Sequence, residues 1–142
     1  MILFRAKTLS ADEYFDFGEW VDGFYVCFNE EEHRIYTGFA ETDCGSYYPD
    51  YYSVDPKTVR QYTGLCDNNG YMIFEGDIVK LDLVDSREIG VIKWSKADCR
   101  FKIYEDDYVG YGFDNTCTLE IIGNVYDNPE LLTDCLHNIN NF

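Results

Sequence analysis

The residues best suited to chemistry in this sequence are two carboxylates, Glu75 and Asp77, on either side of Gly76. Two acidic side chains at this spacing can act as general acid and base, or can bind a metal ion. The same three residues also fit a tight turn, in which glycine supplies a positive φ and aspartate bonds to nearby backbone. Because no partner residues support catalysis, we interpret Glu75-Gly76-Asp77 as a structural turn and assign it no catalytic role.

A second candidate, the segment Asp67-Asn68-Asn69-Gly70, has the composition of a calcium loop but not its spacing. An EF-hand loop needs oxygen ligands at positions 1, 3 and 5 and glycine at position 6. Counted from Asp67, glycine falls at position 4 and Tyr71 at position 5. We predict a β-hairpin with a type I′ turn at Asn69-Gly70, because both residues accept positive φ. Its arms would be Leu65–Asp67 and Tyr71–Phe74.

The cysteines and histidines give no further site. No Cys-x-x-Cys pair is present, and the only histidines are His33, in an acidic turn, and His137, two residues after Cys135. In a helix that spacing places two side chains on different sides. We therefore predict no catalytic residues, no metal site and no cofactor. The cysteines are interpreted as small core hydrophobes of a cytoplasmic protein: Cys27, Cys44, Cys66, Cys99, Cys117 and Cys135.

The net charge narrows the classes of partner. The chain has 27 acidic and 11 basic residues, a formal charge of −16. Direct binding to nucleic acid or to anionic membranes is disfavoured, because both need clustered Lys and Arg. A basic protein partner, and mimicry of a nucleic acid's negative surface, both stay open. The tyrosines of Tyr47–Tyr52 could stack on bases, but given the acidity we predict that they pack on a sheet edge or an oligomer interface.

The elements that would position these residues are mostly short strands. At 142 residues the chain is predicted to be one domain, 1–142, and its 18% aromatic content favours β-structure. We expect a mainly β fold with a minor α part: an N-terminal sheet region (about 1–60), a barrel-like C-terminal half (about 61–127), and one C-terminal helix (about 129–140). Residues 40–52 are expected to be irregular. The predicted strands are Ile2–Lys7, Trp20–Phe28, Arg34–Phe39, Ile78–Val84, Ile89–Trp94, Arg100–Tyr104 and Thr118–Tyr126, all in small antiparallel sheets.

The terminal helix is predicted from its start signal and its period. Asn128-Pro129-Glu130 supplies a cap, a proline at the first helical position and an acid near the helix dipole. The apolar residues that follow have helical spacing: Leu131, Leu132, Cys135, Leu136 and Ile139.

Several motifs in order along the chain resemble those of one known family. The run Gln61-Tyr62-Thr63-Gly64-Leu65, followed by Asn69-Gly70 and Glu75-Gly76-Asp77-Ile78-Val79, is similar to the signature of the YopX-like proteins of phages and prophages. The resemblance implies a mostly β protein with several small sheets, encoded by a phage or prophage and working in the bacterial cytoplasm. It implies no chemistry, since the family has no established activity. Other matching pieces are Phe4–Lys7, Gly18–Gly23, Val54–Val59, Gly90–Trp94 and Ile122–Leu131.

Three hypotheses about function follow. The first is a non-enzymatic module that binds another protein, such as a basic one, or assembles with itself as a homo-oligomer. The second is an acidic mimic of nucleic acid that inhibits a DNA-binding protein of host or phage. The third is a metal-dependent hydrolase that uses Glu75 and Asp77. The first is preferred, because the sequence offers no catalytic constellation.

Overall fold

The computed structural model describes residues 1–82, 87–105, 108–115 and 118–132. The chain divides into two units, Met1–Tyr62 and Thr63–Phe142. The described residues are mainly strand, which confirms the mainly β prediction. Their strands are β1 Phe4–Lys7, β2 Trp20–Cys27, β3 His33–Glu41, β4 Tyr47–Ser53, β5 Arg60–Cys66, β6 Met72–Phe74, β7 Asp77–Asp82, β8 Arg87–Ser95, β9 Arg100–Tyr104, β10 Gly110–Gly112 and β11 Leu119–Asn124.

The first unit is built on antiparallel strands in the order β4-β3-β2-β1, and the start of β5 pairs with β1. The segment expected to be irregular, residues 40–52, is instead the end of β3 and most of β4. Its aromatic residues pair directly across the ladder, with Tyr51 opposite Tyr36 and Tyr52 opposite Ile35. The predicted placement of Tyr47–Tyr52 at a sheet edge is therefore correct.

The core of the first unit lies on one side of this sheet. Alternate residues of β2 and β3 point to the same side, and Val21 and Ile35 are accordingly buried there together with Tyr52. After β4 the chain forms a 3-10 turn, Pro56–Thr58, capped by the Asp55 carboxylate, which accepts a hydrogen bond from Lys57 N at 3.0 Å. The buried members of the core are Ala6, Val21, Ile35, Tyr52 and Val54.

Close strand packing in this unit depends on Gly23. A Cβ at Gly23 would lie 2.2 Å from the carbonyl oxygen of Tyr36 and 2.8 Å from Cγ2 of Ile35. We expect Gly23→Ala to lower the free energy of unfolding by about 3 kcal/mol, since the backbone must shift to admit the methyl group.

The matched control for Gly23→Ala is Gly38→Ala in the neighbouring strand. Nothing lies within 4 Å of a Cβ built there, so its free energy of unfolding should stay within about 1 kcal/mol of wild type. Urea unfolding of both variants measures the difference. Equal stabilities would show that the close approach at Gly23 is not required.

The second unit contains a five-stranded antiparallel sheet in the order β10-β9-β8-β7-β11. The predicted barrel is wrong: the sheet is open, with β10 and β11 at its edges. Apolar residues fill both faces of the sheet, since Val79 and Ile92 belong to one core and Ile78 and Val91 to another. In the described pairings β10 bonds to β9 and β11 bonds to β7, so the sheet keeps two edges and does not close into a barrel.

The hairpin that joins β5 to β6 is organised by a buried carboxylate, that of Asp67. Its Oδ1 accepts hydrogen bonds from the backbone N–H groups of Asn69 (2.8 Å) and Tyr71 (3.0 Å). Its Oδ2 accepts one from Ile121 N at 3.1 Å, on β11. The predicted hairpin is confirmed but its turn type is not: of the Asn69-Gly70 pair only Gly70 has positive φ, +84°.

We expect Asp67→Asn to destabilise the protein by about 1–3 kcal/mol. Both carboxylate oxygens accept backbone hydrogen bonds, and an amide can offer only one acceptor, so at least one buried N–H loses its partner. Thermal unfolding at neutral pH measures the loss. Asp43→Asn makes the same chemical change at an exposed position and should leave the melting temperature unchanged; an equal drop in both variants would contradict this role of Asp67.

The predicted C-terminal helix is not supported. Its described part is a single 3-10 turn, Pro129–Leu132, and residues 133–142 lie outside the described residues. Leu131 N bonds to Asn128 O at 3.1 Å, a contact of the i to i+3 kind. Leu132 is buried against Ile78 and Val91. No helix among the described residues is long and apolar enough to cross a membrane.

Candidate functional site

The two carboxylates first considered for catalysis lie in a tight turn between β6 and β7. The buried carboxylate of Asp77 accepts a hydrogen bond from Phe74 N at 2.8 Å. Gly76 has φ of +83° and its N–H donates to Ile92 O at 2.7 Å. These bonds fasten the turn to the sheet.

The carboxyl group of Glu75 is half-buried beside this turn. Burial raises its pKa, and a hydrogen bond from the backbone N–H of Trp94 partly offsets that rise. Among the residues the structure describes, no three or more His, Cys, Asp or Glu side chains form a group that could hold a metal ion.

The four cysteines that the structure describes are exposed, so their prediction as core residues is wrong. They are Cys27, Cys44, Cys66 and Cys99, while Cys117, Cys135 and His137 lie outside the described residues. Hydrogen bonds from Thr42 and Ser46 lower the pKa of the Cys44 thiol. His33 contributes to β-sheet packing: its Nδ1 lies 2.6 Å from the Tyr25 hydroxyl, and the two rings stack.

The first unit also presents an apolar surface on the side of its sheet opposite the core. We call this surface the aromatic face. It contains a groove of about 380 Å³, in the size range of protein binding pockets. The residues lining the groove are Phe24, Val26, Phe28, Tyr36, Gly38, Phe39 and Pro49.

Strand periodicity explains why the aromatic face is exposed. Along β2, Val21 turns toward the core, so Phe24, Val26 and Phe28 turn away from it. Phe24, Phe28 and Phe39 are respectively 60%, 53% and 74% exposed. In a sequence read alone, apolar residues on both sides of a strand suggest a strand buried on both faces, which is why this exposed surface was missed.

A register shift in β3 brings the residues of the aromatic face together. Tyr36 pairs with Tyr51, but the next paired residue is Gly38, opposite Asp50, so Thr37 is the extra residue of a bulge. In an uninterrupted strand Tyr36 and Phe39 would point to opposite sides, because they are three residues apart. The bulge restores them to one side, and both line the groove.

One positive charge, that of Arg34, lies within the aromatic face and is paired with groups of the same unit. The guanidinium carbon of Arg34 is 4.0 Å from the centre of the Tyr51 ring and 5.0 Å from that of Phe28. Arg34 also forms an ion pair with Glu32 and donates a hydrogen bond to the Tyr36 hydroxyl at 3.3 Å. These contacts hold the Arg34 charge inside the surface.

Acidic residues surround the aromatic face. Glu30 and Glu31 are exposed in the turn after Phe28, and exposed Glu41 follows Phe39 by two residues. Residues 1–62 contain twelve acidic and five basic side chains, a net charge of −7. Three of those basic groups besides Arg34 have contacts within the unit: Arg5 with Asp22 at 2.6 and 2.9 Å, and Lys7 and Arg60 against the Trp20 ring.

Comparisons with known proteins agree with the motifs found in the sequence. No curated protein sequence matches the chain. A solved structure that resembles it is the crystal structure of protein EF1440 from Enterococcus faecalis, with 25% sequence identity and a TM-score of 0.60; the match covers 93% of this chain and 98% of that one. The family model described as YopX protein matches residues 3–133. Since that match includes nearly the whole sequence, the chain belongs to the YopX family.

Proposed function

We propose that this protein is a non-enzymatic binding module whose aromatic face docks a basic protein partner. The observation that carries the proposal is the exposure of Phe24, Phe28 and Phe39 around one groove. Large exposed apolar patches with a polar rim are typical of protein interaction sites. Aromatic residues are also the side chains most enriched at the buried centres of interfaces.

The rigidity of the aromatic face supports this use. Its residues stand on three hydrogen-bonded strands, and the opposite side of the sheet is fixed by the packed core of the first unit. Phe side chains have only two rotatable bonds, so they lose little conformational entropy when a bound partner orders them. The surface is therefore largely formed before binding.

The net negative charge of the chain favours a basic partner over a second copy of the chain. A second copy would bring another net charge of −16 toward the same surface, and that repulsion opposes association. A partner with Lys and Arg around an apolar centre would match the rim of Glu30, Glu31 and Glu41 and would be steered toward it. The homo-oligomer predicted from the sequence is therefore the competing occupant.

The setting proposed for this binding is the cytoplasm of a bacterial host carrying a phage or prophage, as the family resemblance implies. An acidic mimic of nucleic acid is the alternative that the net charge of −16 favours. In that alternative the carboxylates, and not the phenylalanines, would make the main contacts with a basic groove. The hydrolase alternative gains no support from Asp77, whose carboxylate bonds to the backbone of its own turn.

We expect the double substitution Phe24→Thr with Phe39→Thr to weaken partner binding by about a thousandfold, because two interface aromatics that each contribute about 2 kcal/mol together contribute about 4 kcal/mol. The measurement begins with affinity capture from bacterial lysate. The partner is then purified and its dissociation constant determined with wild-type and variant protein. The expected partner has a basic isoelectric point and binds more weakly as salt rises.

Tyr111→Thr is the matched control, because Tyr111 is an exposed strand aromatic, 51% exposed, in the second unit. It should bind as wild type does. Light scattering of all three proteins decides the identity of the occupant. A wild-type dimer that the double variant converts to monomer would assign the aromatic face to a second copy and overturn the proposal. A partner whose affinity is unchanged by the double variant would also overturn it.

A further inference from the structure

A second cavity in the first unit has a different character from the groove of the aromatic face. Its volume is about 660 Å³, within the range of sites for small organic molecules. It combines aromatic rings with two carboxylates. The residues lining it are Tyr14, Phe15, Trp20, Val21, Asp22, Thr37, Asp50 and Tyr52.

The rings form the walls of this cavity. Phe15 and Tyr52 pack edge to face, with ring centres 5.0 Å apart. The Tyr14 ring is 73% exposed and leaves its faces open to a ligand. Trp20 already holds cations of the protein itself, since the guanidinium carbon of Arg60 lies 4.2 Å from its ring centre and Lys7 Nζ lies 5.1 Å away.

The electrostatic environment of the cavity is negative. Asp22 is neutralised by Arg5, whereas the contacts observed for the Asp50 side chain are with the Thr37 hydroxyl, a neutral group. Burial, a hydrogen bond to Asp12 and the charges of Asp12 and Asp50 raise the pKa of Tyr52 to about 12. A hydrogen bond to Glu13 and the charge of that residue raise the pKa of Tyr14, with smaller contributions from burial and from the charges of Asp12 and Asp50.

An aromatic wall beside an unneutralised carboxylate is the chemistry that binds organic cations. Such a cation is attracted to the negative faces of the rings and to the carboxylate together. A metal ion would find few oxygen ligands here, and an anion would be repelled by Asp50. We propose that this cavity is a binding site for a guanidinium or alkylammonium group, with Asp50 as its counter-charge and Tyr14 as its open ring.

This inference goes beyond the proposed docking of a partner on the aromatic face. The cavity and the groove of the aromatic face share no lining residue, and Phe24 and Phe39 line only the groove. Substitutions at Phe24 and Phe39 should therefore leave cation binding unchanged. The two proposals can fail separately.

The test compares N-acetylarginine amide with N-acetylcitrulline amide, which has a similar shape but a neutral end group. Nuclear magnetic resonance titration in about 0.15 M salt follows the backbone amides of Thr37 and Asp50 and the indole N–H of Trp20. The arginine probe should produce saturable shifts with a dissociation constant on the order of millimolar. The citrulline probe should produce none. Equal binding of the two probes, or no saturable shift with either, would overturn the proposal.

Two variants assign the roles of the residues. Asp50→Asn should weaken binding of the arginine probe by about threefold or more, and Tyr14→Leu should weaken it by a similar factor. Asp43→Asn removes the same charge from an exposed turn outside the cavity and should leave the affinity unchanged. If Asp43→Asn weakens binding as much as Asp50→Asn, the attraction is the general field of an acidic protein and not a site. The amide spectrum of each variant reports whether it is folded.

Discussion

The twofold alternation of side chains along β2 and β3 is the constraint on which the first unit depends. One set of alternate residues, including Val21 and Ile35, builds the core. The other set includes exposed apolar residues such as Phe24, which no layer of this unit covers. Burying both sets within the unit would require a second layer on the sheet. The exposed set therefore follows from the number of layers, and the bulge at Thr37 gathers it into one surface.

The balance of charge differs between the aromatic face and the cavity that contains Asp50. On the aromatic face the charge of Arg34 is matched by Glu32 and covered by the Tyr51 and Phe28 rings, so the centre of that surface is close to neutral. In the cavity lined by Tyr14 and Tyr52, the contact observed for the Asp50 side chain is with the neutral Thr37 hydroxyl. The same residue types, tyrosine, phenylalanine and acid, thus produce two surfaces with different ligand chemistry.

The sequence predicts several strands well. β2, β7, β8 and β9 agree with expectation within a few residues, and so does the hairpin at Asn69-Gly70. The strand Tyr47–Ser53 was missed because it has aromatic residues at neighbouring positions and a proline in the middle, which hides the alternation. The type I′ turn was wrong because the Asp67 carboxylate binds three backbone N–H groups and so dictates a different turn. A contact with Ile121, far along the chain, cannot be read from local sequence.

The candidate sites, like the strands, could be predicted from the sequence only in part. Glu75 and Asp77 attract notice by residue type, but their surroundings make them part of a turn. The aromatic face carries no motif, since its members come from three strands and share only an orientation. That shared orientation can be recognised only when the pairing register of the strands, and above all the bulge, is known. The prediction that the cysteines are buried was wrong for a related reason: composition gives no information about which side of a strand is covered.

Pro49 affects whether another strand can pair with the edge of the sheet. It lies within β4, the outermost strand of the first unit, and it has no N–H group. An incoming strand that sought to extend the sheet would find one donor missing from the ladder, and edge prolines are one way in which proteins avoid uncontrolled strand addition. A surface rich in exposed phenylalanine and tyrosine would otherwise be prone to growth into fibrils. By discouraging backbone pairing, Pro49 leaves side-chain complementarity as the main basis for recognition at this edge.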